Sequence, residues 1–415
     1  MIKYIPRICF IFFLVITCKV SYSQIDRIVL TWENDPATTQ SVVWRTAQPA
    51  DAPQAQWALL AKHSNDLVET AETVAAGTET IVTVDDETFY HHTARFSSLI
   101  PDTTYAYRVG DGETWSEWNS FRTAAAEPEP FRFIYLGDVQ NGILSDFSIL
   151  MRRAYAKAPD ARFILIGGDL VNRGQNDNEW GEFFQGMGFI PRMIPIVAVP
   201  GNHDASRTIQ RQDGSRAIDP LYLVHFALPL NGPPVEDLKE TAFILDYQGV
   251  RIIGVNTNSY RDEDQLAWLK DSLSDDTGIW TITCHHHPLF STGSDRNNRP
   301  LRERLMPIYQ NAHVDLVLQG HDHRYGRTNK IIDGETVADD AQAPIYVVSV
   351  SGPKAYDHNP NFEHLMQVEK GETQCYQIIS VTPSSLTYKG YSLNDQLIDA
   401  FELKKESGRT VLINK

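Results

Sequence analysis

Phe131-Arg132-Phe133-Ile134-Tyr135-Leu136 runs into Gly137-Asp138, and the same pattern returns four times further along the chain. Phe163-Ile164-Leu165-Ile166 leads to Gly167-Gly168-Asp169. Ile194-Pro195-Ile196-Val197-Ala198-Val199 leads to Pro200-Gly201-Asn202-His203-Asp204. Trp280-Thr281-Ile282-Thr283-Cys284 leads to His285-His286-His287-Pro288, and Val314-Asp315-Leu316-Val317-Leu318 leads to Gln319-Gly320-His321-Asp322-His323. Short apolar runs bounded by glycine and proline read as buried strands. Here each ends on oxygen or imidazole donors. Open α/β sheets carry their sites at the carboxyl ends of their strands, so five such ends predict a metal site along a sheet edge. Carboxylates, an amide and imidazoles without thiolate fit two ions of the iron, zinc or manganese kind. A pair of such ions can hold a phosphoryl group and a water nucleophile for in-line attack.

Helical patterns separate these runs. Phe147 to Lys157 is read as a helix capped by Ser145, Glu179 to Met187 as a second, and Asp264 to Leu273 as a third. Strands alternating with helices predict an α/β domain. Beyond Ala343 the pattern returns to strands at Ile345 to Val350, Cys375 to Val381 and Ser385 to Tyr391. The segment from Ile25 to Thr123 differs: short β-branched or aromatic runs such as Ser41-Val42-Val43-Trp44-Arg45 are divided by turn residues. Leu99-Ile100-Pro101-Asp102-Thr103-Thr104-Tyr105 reads as a sandwich corner in which a tyrosine hydroxyl bonds back to the chain. His91 and His92 adjoin on one such run and face opposite sides as ordinary strand residues. Ala124-Ala125-Ala126-Glu127-Pro128-Glu129-Pro130 reads as a linker. The expected organisation is therefore residues 24–123, an all-β sandwich; 124–130, a linker; and 131–415, an α/β domain. A length of 415 residues favours more than one core.

Residues 1–23 read as a signal peptide. Lys3 and Arg7 precede the apolar stretch Ile8 to Thr17, and Ser21-Tyr22-Ser23 offers a small-residue cleavage site. That stretch is well short of the ~20 residues that span a bilayer, so no membrane span is expected after cleavage, and a secreted or periplasmic protein is. Removing Lys3, Arg7 and Lys19 takes the net charge from −16 to −19. Such acidity argues against a nucleic-acid-binding surface, and any phosphate site must carry its own local positive charge. Cys284 and Cys375 remain in the mature chain. Cys284, at the end of an apolar run, reads as a packed thiol, although two cysteines permit one bridge.

The order GD, GGD, GNHD, HHP and GHDH resembles the calcineurin-like metallophosphoesterases, and the amino-terminal part is similar to the fibronectin-III-like domain of purple acid phosphatases. The resemblance implies two packed mixed sheets flanked by helices behind a fibronectin-III-like sandwich. It implies Asp138 as a ligand of a first metal, Asp169 as a bridge, Asn202 and His286 as ligands of a second metal, and His321 and His323 as ligands of the second and first. It implies that His203 contacts phosphate and protonates the leaving oxygen. Purple acid phosphatases place a ligating tyrosine three residues after the bridging aspartate; this chain has Asn172 there. The segment Gly168-Asp169-Leu170-Val171-Asn172-Arg173-Gly174 instead resembles the serine/threonine phosphatases. That makes Asn172 a residue that orients His203 and Arg173 a planar fork for a phosphate oxygen. Many relatives have histidine where Gln140 stands, and Gln140 either ligates through its amide or supports the ligands from behind. Lys354 and Tyr356 follow a strand and are candidates for substrate contact; Asn256 ends another and is read as structural.

The function this implies is a secreted phosphomonoesterase that uses a hydroxide bridging two metals on a small-molecule or phosphoprotein substrate. The same core also serves phosphodiesterases and nucleotide pyrophosphatases. A reading of another class is a non-enzymatic surface-binding protein whose phosphatase domain is retired.

Overall fold

The computed structural model describes residues 25–211, 214–274 and 278–415; the expected signal peptide lies outside them. From Ile25 to Arg122 two four-stranded antiparallel sheets form a sandwich. One orders Ile25–Thr31, Gln40–Thr46, Thr88–Phe96 and Gly77–Val82; the other orders Glu72–Ala75, Gln54–Leu59, Thr104–Gly110 and Asn119–Arg122. Leu30, Val42, Trp44, Phe96, Tyr107 and Phe121 fill the space between them. The hydroxyl of Tyr105 accepts the Ile100 N–H at 2.8 Å, the corner expected from sequence.

Two seven-stranded mixed sheets follow. The first orders Ile196–Ala198, Ile164–Ile166, Phe131–Leu136, Cys375–Val381, Ser385–Ser392, Leu397–Glu406 and Arg409–Asn414. Its first three strands are parallel; the chain's end then returns and adds antiparallel neighbours beside Phe131–Leu136. The second orders Phe243–Tyr247, Val250–Gly254, Trp280–His285, Leu316–Gln319, Ile345–Val348, Tyr325–Thr328 and Met366–Lys370, with four parallel strands at its centre. Ile164–Ile166 and Ile196–Ala198 are buried throughout, as parallel strands covered on both faces must be. Phe133, Leu165, Ile252, Ile282, Leu316 and Val347 share one core, so the two sheets are packed together. The five motif-bearing strands are thus split three to one sheet and two to the other. The site expected along one sheet edge lies where two edges meet.

Local chemistry moves some helix ends. The helix Asp177–Met187 starts two residues early because the Asn176 side chain accepts the Asn178 N–H and Asp177 and Glu179 occupy its positive first turn. Ser145 does not cap a helix. Gly142, at φ +55°, starts a π-helical turn over Ile143–Phe147 that continues into Ser148–Lys157, so Ser145 sits inside the first turn. Cys284 and Cys375 are both free, buried thiols.

The sandwich is joined to the larger part by buried charge. Arg27 donates to Asp177 at 2.6 and 2.8 Å, and Arg45 donates to the same carboxylate at 2.7 Å. Trp32 packs on Phe163 and Tyr247 beside them. Burial opposes ionisation of Asp177, but the hydrogen bond and charge of Arg27, then Arg45, hold its carboxyl below the usual range. A group with a depressed folded pKa stabilises above its unfolded value and loses that effect as pH falls. We therefore expect Asp177→Ala to cost about 3 kcal/mol near neutral pH, because it leaves buried Arg27 without its anion and Arg45 with Asp26 alone. The deficit should begin to narrow below about pH 4, where the unfolded chain's Asp177 takes up a proton, and close further as the folded carboxylate protonates at lower pH. Thermal unfolding of both proteins from pH 7 to pH 3 measures this; a deficit that is constant with pH would refute it.

Candidate metal centre

Asp138 and Asp169 follow the carboxyl ends of adjacent parallel strands, and both side chains are buried. His286 stands between them from the other sheet, its Nε2 3.2 Å from Asp169 and its Nδ1 3.8 Å from Asp138. Asn202 Oδ1 lies 3.2 Å from His286 Nε2, and His321 Nδ1 lies 3.0 Å from the same atom. His323 Nε2 approaches Asp138 Oδ2 at 3.2 Å. Gln140 Nε2 lies 2.8 Å from Asp169 Oδ2 and 3.0 Å from His323 Nε2, so its amide stands among these side chains and not behind them. The structure thus gathers Asp138, Gln140, Asp169, Asn202, His286, His321 and His323 into one cluster. Of the consecutive histidines, His285 turns away to the His287 carbonyl at 2.9 Å.

The backbone is bent to make this possible. Asp169, His321 and His323 have φ of 52°, 78° and 48°. Non-glycine residues hold this left-handed region only where surrounding structure compels it, at about 1–3 kcal/mol each. The compelling contacts are visible: His203 N–H donates to Asp169 Oδ1 at 2.7 Å and His321 N–H donates to Asp138 Oδ1 at 2.6 Å. Asp204 ties the loops together by accepting from Gly201 N–H at 2.8 Å and Leu170 N–H at 3.0 Å. Gly168, at φ +94°, and Gly201 let the two loops pass; a Cβ on Gly201 would sit 2.1 Å from Asp169 Oδ1.

The electrostatics ask for a cation. Burial raises the pKa of Asp138, and Asp169 raises it further against the opposing charge of His286. Burial opposes ionisation of Asp169 too, but His286 holds it low. Burial alone would lower His286, yet Asp169 and Asp138 lift it above the ordinary imidazole value. Buried carboxylates side by side remain ionised only against compensating charge. Asp138 Oδ2, Gln140 Oε1 and His323 Nδ1 are buried without a hydrogen-bond partner among the described residues. Buried unpaired acceptors beside a carboxylate pair fit a metal's donor set. Asp138, Asp169 and His286 form one group of metal-competent atoms, and His286, His287 and His321 another.

The flanking residues separate by position. His203 Nδ1 lies 2.7 Å from the main-chain oxygen of Asn172, so the backbone of Asn172 orients this ring. Arg173 is held by Glu179, its Nε donating at 2.8 Å. Tyr356 packs edge-on against His323 at 4.7 Å, with Lys354 Nζ and the Arg296 guanidinium each 4.9 Å from its ring centre. Burial lowers His323, and the charge of Lys354 lowers it further. Asn256 is structural: it caps the turn Thr257–Ser259 and donates to Thr241. Sequence reasoning missed Arg296, which donates to the His321 carbonyl and to Asp322 at 3.1 Å each. It also passed over His287, whose Nδ1 lies 2.9 Å from Thr257 Oγ1. Neither is marked by its neighbours in sequence, apart from the proline after His287.

Residues 131–325 match the family model described as calcineurin-like phosphoesterase, and residues 25–123 match that of the purple acid phosphatase N-terminal domain. An uncharacterised protein of Mycobacterium tuberculosis (strain H37Rv) is 27% identical over 274 residues, covering 57% of this chain and 50% of that protein. Purple acid phosphatase 15 of Arabidopsis thaliana is 24% identical over 301 residues, covering 63% of this chain and 53% of that protein. The chain spans about half the length of these curated relatives. A purple acid phosphatase from yellow lupin (Lupinus luteus) seeds superposes with a TM-score of 0.78 at 17% identity, covering 92% of this chain and 74% of that one. A structure of PhoD superposes at 0.67 with 13% identity, covering 93% and 92%. Both share the fold.

The Gly201 contact yields a direct test. Gly201→Ala should displace the Asp169 carboxylate and weaken zinc or manganese binding by about tenfold or more, while the protein stays folded. Calorimetric metal titration with circular dichroism checks this; unchanged affinity would show that the loop crossing does not position Asp169.

Proposed function

We propose that this chain, which belongs to the calcineurin-like metallophosphoesterases and carries a purple-acid-phosphatase-type N-terminal domain, hydrolyses phosphoric monoesters at the cluster around Asp138 and Asp169. The observation that carries the reading is the pair of buried carboxylates bracketed by His286, His321, His323, Asn202 and Gln140. Two metal ions of the iron, zinc or manganese kind, when bound, would supply Lewis acidity and a water of lowered pKa.

The chain's own residues divide the work. Asp169 would serve both ion positions, its Oδ2 meeting both Gln140 and His286. Asp138, Gln140 and His323 would hold the first ion; Asn202, His286 and His321 the second. Water adds to phosphorus, the bond to the leaving oxygen breaks, and that oxygen takes a proton. His203 is the proposed donor, its ring set by the Asn172 carbonyl. Lys354 supplies the positive charge that an acidic chain must place locally to hold phosphate, with Tyr356 packed between it and His323. In this reading Lys354 takes the role expected of Arg173, whose fork is engaged by Glu179; Arg296 is likewise engaged, by Asp322. Without a tyrosine at position 172, the iron-loaded protein should show no phenolate-to-iron charge-transfer colour. The apolar stretch at residues 8–17 supports export, and among the described residues no helix is long and apolar enough to cross a membrane.

Assays on protein loaded separately with iron, zinc and manganese test the proposal. p-Nitrophenyl phosphate should be cleaved faster than bis-p-nitrophenyl phosphate. Asp169→Asn should lower kcat/KM about a thousandfold. Lys354→Ala should raise KM about tenfold, whereas Arg173→Ala should leave it within about twofold. Equal or faster diester cleavage would assign the site to phosphodiesters, and inactivity on both esters with every metal would favour the binding-protein reading.

A further inference from the structure

A cavity of about 470 Å³ opens beside the cluster, lined by Asn202, His287, Asn258, Tyr260, Asn298 and Arg216 among others. Two of these, Asn202 and His287, reach directly into the metal-competent group. The cavity is therefore continuous with the second ion position and lies away from the Lys354 side. Its size suits a small organic group rather than a polymer.

Its lining is free of acid, as is that of a cleft around Lys270 and Leu273, but this cavity is the one of the two that adjoins the cluster. The chain carries 53 acidic against 37 basic residues, and acidic side chains line three other clefts, at Glu33 and Asp35, at Glu372, and at Asp26. No acidic side chain lines this one. Its single cation, Arg216, is exposed, and its side chain has no hydrogen-bond or ion-pair partner among the described residues. The neighbouring arginine shows the contrast. Arg211 is half-buried, with its side chain largely covered, and is committed, donating to Ser259 at 2.6 Å and Asp262 at 2.9 Å. That clamp pins the Ala205–Gln210 and Arg216–Ile218 hairpin to the Thr257–Ser259 turn. Asn258 in turn donates to the Gly201 carbonyl at 3.2 Å, fixing the turn to the loop that bears Asn202. Arg216 is thus carried on a wall braced against the centre and lines a cavity that, among the described residues, presents it no anion. A guanidinium so placed matches a planar anion.

We propose that this cavity receives the leaving group, and that Arg216 selects phosphoesters whose leaving group bears a second anionic group, a carboxylate or another phosphate. The proposal rests on the phosphoesterase reading for its biological sense, but ligand binding tests it separately. Phenylphosphonate, 4-phosphonobenzoate and benzene-1,4-diphosphonate are non-hydrolysable probes with a neutral ring, a carboxylate and a second phosphonate. Calorimetry on the zinc-loaded full chain should find at least one doubly anionic probe bound about tenfold tighter than phenylphosphonate, and whichever is preferred identifies the anion. Arg216→Ala should abolish that preference and leave phenylphosphonate within about twofold; Arg216→Lys should keep part of it, and higher salt should shrink it. The same pattern should appear in kcat/KM for the matching phosphate esters, where comparing variant with wild type on each ester cancels leaving-group reactivity. No preference in the wild type, or an equal loss on all three probes in Arg216→Ala, would overturn the proposal. Preference in binding without turnover of any ester would sustain Arg216 as the anion-selecting group and refute the phosphoesterase reading, and with it the leaving-group role of the cavity.

Discussion

Two carboxylates buried side by side, Asp138 and Asp169, constrain everything around them. Each is an anion that burial would rather neutralise, and each raises the cost of the other. The fold answers with His286 between them, main-chain N–H groups from His203 and His321 aimed at their oxygens, and imidazoles and an amide completing the ring. Such an arrangement favours a bound cation, and the donor set is competent to hold one. Left-handed backbone at Asp169, His321 and His323 is the local cost of turning the donors inward.

That cost is sustained by packing far from the centre. The two seven-stranded sheets bury a continuous core, and their parallel strands end at one seam. Asp204 cross-braces the loops, and the closing antiparallel strands from Cys375 to Asn414 hold the flank of Phe131–Leu136. The sandwich domain is fastened at some distance by the Arg27–Asp177–Arg45 triad and by Trp32. Its positions contribute no member of the cluster.

Local positive charge is the second theme. A chain with an excess of acids cannot attract a phosphoester by its overall field. Cations are instead set at two places: Lys354 and Arg296 over Tyr356 on the His323 side, and Arg216 in the cavity on the Asn202 side. If the first grips the transferred phosphoryl group, the second is free to read what the phosphoryl group is attached to.

The strand-ending donors, the sandwich with its Tyr105 corner and the alternation of strands with helices were legible in the sequence, because each is a local pattern: apolar runs, turn residues, periodicity. Helix ends were less so, since Gly142 and Asn176 outweighed Ser145 and Glu179 as starting points. What the sequence could not hold was anything set by contact between distant segments. The division of five motif strands between two sheets depends on which strands pair, and the last four strands of the first sheet come from beyond residue 374. Glu179, six residues away, engages Arg173 only because a helix turns it back. Arg296, His287 and Arg216 gain their places from tertiary approach alone. Residue types and their order determined which chemistry this chain can support; the packing of two sheets decided where the charges meet, because only in three dimensions does one group compensate, orient or exclude another.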